Sequence, residues 1–234
     1  AAPIALSRAG YGDLLARFVA YGDWYLSFKL GITDKYNELA YRLMEIFSVP
    51  LKDLAVSMGQ DVLASEIIEM NAAALAMAGI AMSLSGETTP LSGYEHVISH
   101  ALDYLRIVSN REFVLHGEQV ALASLTSAMS FDWLLENNEF DVKKFRTMNE
   151  KETDKLIHQF LISAPYYGTQ NNINKIEQDK LLEIKKLFIQ DYMVKSEKWN
   201  IVKEKFNHFL QELPEIKKHL SKITIRSVEM QTLL

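Results

Sequence analysis

Residues 79–120 read GIAMSLSGETTPLSGYEHVISHALDYLRIVSNREFVLHGEQV, and this stretch decides how the chain is understood. His96 and His100 stand four residues apart, and His116 follows at the head of an HGEQV run. Residues at i and i+4 share one face of a helix, so both rings can reach toward one point. A third histidine after a short turn can close on that point. Neutral imidazole is the commonest metal ligand, so three convergent histidines suggest a metal site. HVISH is not HExxH: Val97 offers no carboxylate base, which argues against a zinc protease.

Outward from this stretch the pattern is helical. Tyr11 to Leu30 carries apolar residues mostly three or four apart, which predicts one helix closed by Gly31. Asp34 is expected to cap a helix running to about Phe47, and Pro50 to start a third. Gln60 to Ser85 reads as one long helix, apolar on all faces and therefore expected to be central and buried. Ser92 is the expected cap of the helix that carries His96 and His100. The HGEQV helix is expected from His116 to about Asn137. Beyond Asn138 the composition shifts to Lys, Glu, Asn and Ile. Helices are expected at about 150–163, 174–195, 197–212 and 215–222, with a loop at Asn171–Asn174. The fold class is therefore all-α, a multi-helix bundle with a helical domain over 1–137 and a helical extension or subdomain over 138–234.

Composition narrows the function classes. The chain has 234 residues, 48% of them hydrophobic and 24% charged, as in an ordinary globular protein. A net charge of −5 gives no global electrostatic case for nucleic acid. The lysines of the tail alternate with acids and read as a solvated face. With no cysteine there are no disulfides, thiolate ligands or cysteine nucleophiles, which fits a reducing, cytoplasmic setting. The stretch Ala72–Leu84 is too short for a membrane span, and AAPIALSRAG does not read as a signal peptide.

Two blocks resemble a known family. AGIAMSLSGETTPLSGYEHVISHALD followed by LHGEQ is similar to SGIAMSxxGSSRPxSGSEHxxSHALD and LHGEQ of sn-glycerol-1-phosphate dehydrogenases. These belong to the superfamily of iron-containing alcohol dehydrogenases, glycerol dehydrogenases and dehydroquinate synthases. Upstream, AGYGDLLARFVAYGDWYLSFKL (residues 9–30) resembles the family's GFGDLLAK segment and its Asp-Trp pair, here Asp23 and Trp24. Together the blocks cover roughly residues 9–130.

The resemblance implies a site. Asp13, His96 and His116 would be the metal ligands, for Zn2+ or Fe2+ alike. His100 would face substrate and relay a proton. Read from the residues alone, Asp13 after Gly10 and Gly12 is a helix-starting acid that suits the macrodipole. Glu118 is either a partner orienting an imidazole or a first-turn acid serving the dipole. Gly117 allows close backbone approach. The family arginine of SSRP is Thr89 here, which puts phosphate recognition in doubt.

The implied activity is NAD(P)-linked reduction of a small ketone such as dihydroxyacetone phosphate to sn-glycerol 1-phosphate. With ten glycines and no GxGxxG, GGG run or P-loop, no nucleotide-binding turn is visible. The expectation is therefore the C-terminal metal-binding half of a larger enzyme, inactive by itself. NAD(P) would be held by an α/β domain or subunit absent from this chain. Self-association into a homo-oligomer is left open. Two alternatives stand beside this: a sugar-phosphate cyclase of the dehydroquinate synthase type, and a non-catalytic interaction module with a relic metal site.

Overall fold

The computed structural model describes residues 3–108, 111–141, 146–163 and 178–234. Regular structure among them is entirely helical, as the all-α class required. The elements are α1 (Ile4–Leu14), a 3-10 turn (Leu15–Phe18), α2 (Ala20–Lys29), α3 (Leu39–Glu45), α4 (Ser48–Met58), α5 (Ser65–Ser85), α6 (Tyr94–Val108), α7 (His116–Glu136), α8 (Glu150–Ser163), α9 (Gln178–Ile223) and α10 (Ser227–Leu233). The expected Asn171–Asn174 loop lies outside the described residues.

The chain divides into two compact units. The first comprises Ala1–Ser99, Val114–Asn138 and Gln211–Leu234; the second comprises His100–Phe113 and Glu139–Leu210. The chain's last segment, Gln211–Leu234, belongs with the first unit. The cause is apolar spacing late in α9: Leu213, Ile216, Leu220 and Ile223 are all buried. This placement is reinforced by hydrogen bonds. The Ile225 amide donates to the Phe18 carbonyl at 3.1 Å, and the Tyr11 hydroxyl to the Leu233 carbonyl at 3.1 Å. Lys217 Nζ reaches the Leu135 carbonyl at 3.2 Å and Asn138 Oδ1 at 2.8 Å, and also the Asn137 carbonyl. It thus caps the carbonyl end of α7, where a cation is favoured.

Several local expectations are corrected. Tyr11–Leu30 is not one helix: α1 begins at Ile4, tightens into a 3-10 turn, and leaves helical dihedrals at Val19 (φ −134°). A 3-10 turn keeps three-residue spacing, so apolar periodicity does not register it. Gly31 does take the left-handed conformation, at φ 73°. Asn37, not Asp34, accepts the amide of Leu39 at the start of α3, at 3.0 Å. Gly93, not Ser92, precedes α6. The three helices expected across 174–222 are one helix, α9, which carries Pro214 inside it.

α5 is not the central buried helix expected: most of its residues are exposed. Its packed face is made of small or polar residues, Asn71, Ala74, Ala78 and Ala81, while Ile68, Ile80 and Leu84 are exposed. Asn71 Nδ2 ties this face to the Ser7 carbonyl of α1 at 2.8 Å. By length and composition alone, α5 is apolar enough to cross a membrane, with mean hydropathy 1.6 over its best window. The sequence reading, confined to Ala72–Leu84, placed it short of that.

The second unit has a small core of its own, Ile184 packed with Tyr104, Ile157 and Phe188. Its α8 opens on a reciprocal cap. The Glu152 amide donates to Asn149 Oδ1 at 2.9 Å, and the Asn149 amide to Glu152 Oε2 at 3.1 Å.

Candidate metal centre

Glycines bring the first ligand pair together. α1 crosses α7 so closely that a Cβ on Gly117 would overlap the Ala9 carbonyl, and one on Gly12 the Gly117 carbonyl. Asp13 follows Gly12 at the end of α1, and His116 precedes Gly117 at the start of α7. The crossing therefore sets those two side chains beside each other. Asp13 does not start a helix, as its preceding glycines suggested. It sits in the last turn of α1, where the macrodipole disfavours a carboxylate. A helix-start role is excluded.

His96 completes the group from the first turn of α6. Its Nε2 lies 3.4 Å from Asp13 Oδ1, and His116 Nε2 lies 3.7 Å from the same oxygen. The two rings are 5.1 Å apart, and one ligand atom from each residue falls within 4.8 Å of the others. Both separations are too long for a good hydrogen bond. Asp13 Oδ1 is buried and has no hydrogen-bond partner. A buried carboxylate oxygen without a donor, faced by two imidazole nitrogens, is a donor set that fits a divalent cation. Two imidazoles and one carboxylate leave coordination positions open and suit Zn2+ or Fe2+.

The far side of each ring is also held. Glu95 Oε1 pairs with His96 Nδ1 at 2.9 Å, and Ser99 Oγ with His116 Nδ1 at 3.1 Å. Sequence reasoning missed both residues and considered Glu118 for this role. Glu118 is exposed in the first turn of α7, where an acid suits the helix dipole. Nothing but adjacency to His96 could have pointed to Glu95, because its complete burial is not written in the motif. His100 stands one turn beyond His96 on α6, exposed, and does not belong to the three-atom cluster.

Electrostatics follow from this packing. Burial opposes charge on His96, but the nearby Asp13 carboxylate and the Glu95 carboxylate bonded to Nδ1 outweigh it and raise the ring's pKa to about 9. Asp23, beside Glu95, is pushed up to about 6, first by burial and then by the Glu95 charge; the Tyr94 amide it accepts pulls the other way. Trp24, its neighbour, is a core residue.

A cavity of about 340 Å³ opens against Asp13 and His96, with Arg17, Thr88, Ser92 and Met82 also in its wall. Arg17 is 4% exposed. Its Nε donates to the Met44 carbonyl at 2.9 Å and its Nη2 to Ser48 Oγ, so its charge is held in place by α3 and α4.

No known family profile matches the chain. Individual relatives do. A glycerol-1-phosphate dehydrogenase [NAD(P)+] of Hyperthermus butylicus is 38% identical over 124 residues, covering 53% of this chain and 34% of that protein. The enzyme of the same name from Haloquadratum walsbyi is 37% identical over 127 residues, 54% of this chain and 34% of that protein. The one from Korarchaeum cryptofilum is 34% identical over 135 residues, 57% and 42%. Over that half, this chain is glycerol-1-phosphate dehydrogenase-like. It spans 34–42% of the length of these relatives, so the likeness concerns a part of them. The all-helical fold agrees with the all-α half of such an enzyme that the motifs implied.

Proposed function

We propose that this glycerol-1-phosphate dehydrogenase-like chain is the metal- and substrate-holding part of an NAD(P)-linked dehydrogenase. The reaction is reduction of dihydroxyacetone phosphate to sn-glycerol 1-phosphate. One observation carries the reading: the orphaned, buried Asp13 Oδ1 faces the Nε2 atoms of His96 and His116, and Asp13 and His96 line a cavity.

The chain's own residues have distinct tasks in this reading. Asp13, His96 and His116 hold a Zn2+ or Fe2+ ion. That ion, when bound, supplies Lewis acidity toward a carbonyl oxygen. The cavity lies at the small end of ligand-site volumes, which suits a three-carbon substrate. Arg17 supplies positive charge in that wall, in a chain where Thr89 stands at the family's arginine. Reduction needs one hydride at the carbonyl carbon and one proton at its oxygen. A nicotinamide, held by a nucleotide-binding part that this chain does not show, would supply the hydride. His100 delivers the proton.

A sugar-phosphate cyclase would share the His and HGE blocks, but the carboxylate ligand that the resemblance implies for that branch is Glu, and this chain has Asp13. The test is direct. The purified chain should take up about one zinc per molecule by elemental analysis. The zinc-loaded chain should bind sn-glycerol 1-phosphate more tightly than glycerol in calorimetry. Arg17→Met should remove that preference while zinc remains. A chain that binds no metal, or prefers glycerol, defeats the reading.

A further inference from the structure

We infer that Glu95 is a positioning residue for the metal centre: its buried carboxylate holds the His96 ring through Nδ1 and presents Nε2 to Asp13 and His116. This rests on the metal-centre reading above.

The geometry is specific. Glu95 Oε1 accepts the Gly93 amide at 2.6 Å and pairs with His96 Nδ1 at 2.9 Å. An ionised carboxylate only accepts, so this pairing requires the proton of His96 on Nδ1. The lone pair of the neutral ring is then on Nε2, the atom that faces Asp13 Oδ1. The ring can no longer turn about its χ2 without breaking the bond to Glu95.

A capping role alone does not account for the arrangement. Glu95 is 0% exposed, and its second oxygen, Oε2, has no hydrogen-bond partner. Among the described residues no Lys or Arg pairs with it; its ion-pair partner is His96. A second carboxylate crowds the same spot. A Cβ added to Gly93 would meet Asp23 Oδ2 at 3.0 Å and Glu95 Oε2 at 3.2 Å, so the space between the two carboxylates is tight. Burying two acids side by side is costly unless positive charge lies close. Here it lies on His96, or on a cation that His96 holds. Negative charge delivered to Nδ1–H makes Nε2 a stronger donor to a metal. Asp23 steadies the arrangement by accepting the Tyr94 amide at the first residue of α6. His116 has a neutral counterpart in Ser99, so the two rings are held unequally.

Zinc affinity of the full chain, measured by competition with a chromophoric chelator, tests this. Glu95→Gln keeps the size and an acceptor oxygen but removes the charge. A folded Glu95→Gln chain should bind zinc about 10- to 100-fold more weakly than wild type. Ser99→Ala should lose less. Wild-type affinity in folded Glu95→Gln overturns the proposal. If that variant does not fold, long-range 1H–15N spectra of the zinc-loaded wild type decide. His96 should carry its proton on Nδ1 and zinc on Nε2; zinc on Nδ1 overturns the proposal. A wild-type chain that takes up no zinc overturns the centre itself, in a sample that contains no variant.

Discussion

Gly12 and Gly117 touch backbone against backbone, and neither position has room for a Cβ. This contact joins the end of α1 to the start of α7 and so sets Asp13 beside His116. Gly117→Ala should therefore push the two helices apart. Overpacking of this kind costs about 1–3 kcal/mol. Urea unfolding should show that loss, and zinc affinity should fall with it. Unchanged stability would mean the helices do not meet as described.

Ligand substitutions should separate the three histidines. His96→Ala and His116→Ala should each lower metal content, while His100→Ala should retain it. In a complete enzyme His100→Ala should lose at least about a hundredfold in turnover, the low end of general acid–base contributions. Metal loss in His100→Ala would make it a ligand, and near-normal turnover would remove its catalytic role.

Proton competition gives a pH signature. In the metal-free chain the His96 pKa is raised to about 9 from an ordinary 6.5. Its charged form therefore stabilises the fold fully below about 6.5, and that contribution is lost as pH rises through about 9. The stability difference between wild type and His96→Gln, both metal-free, should shrink over that window. Zinc uptake runs the other way: the ion displaces the His96 proton, so affinity should climb with pH toward 9. A zinc affinity flat between pH 6.5 and 9 would sink this account.

Anchoring of the C-terminal segment should be separable from the site. Lys217 caps the end of α7 through carbonyl oxygens of Leu135 and Asn137. Lys217→Met should cost about 1 kcal/mol of stability, the size of one net hydrogen bond to a partly exposed charge. Its zinc affinity should equal wild type. A loss of zinc binding would show that the α7 terminus and the centre are coupled.

The motif around His96 and His116 was legible because its information is local. Four-residue spacing, a glycine beside a histidine and helical periodicity are properties of neighbouring residues, and they specify an all-helical chain. Asp13 could be named only through a family resemblance, since nothing in a helical pattern says which distant carboxylate will meet two imidazoles. Its sequence context even suggested a helix start, whereas α1 had begun at Ile4. The sequence pattern predicts three helices across 174–222, whereas α9 runs unbroken from Gln178 to Ile223 with Pro214 inside it.

What the sequence by itself determined is the helical class and the histidine face, because both follow from short-range periodicity. Helical spacing alone left His96 and His100 equivalent; the family resemblance implied His96, and in the structure it is His96 that lies with Asp13 and His116. Tertiary structure alone decided that Glu95 rather than Glu118 holds an imidazole. It also decided that α5 packs its small residues inward and leaves Ile80 and Leu84 exposed. The physical reason is that burial and convergence depend on how closely separate helices approach. Here that approach is set by backbone contacts at Gly12 and Gly117, between segments far apart in the chain.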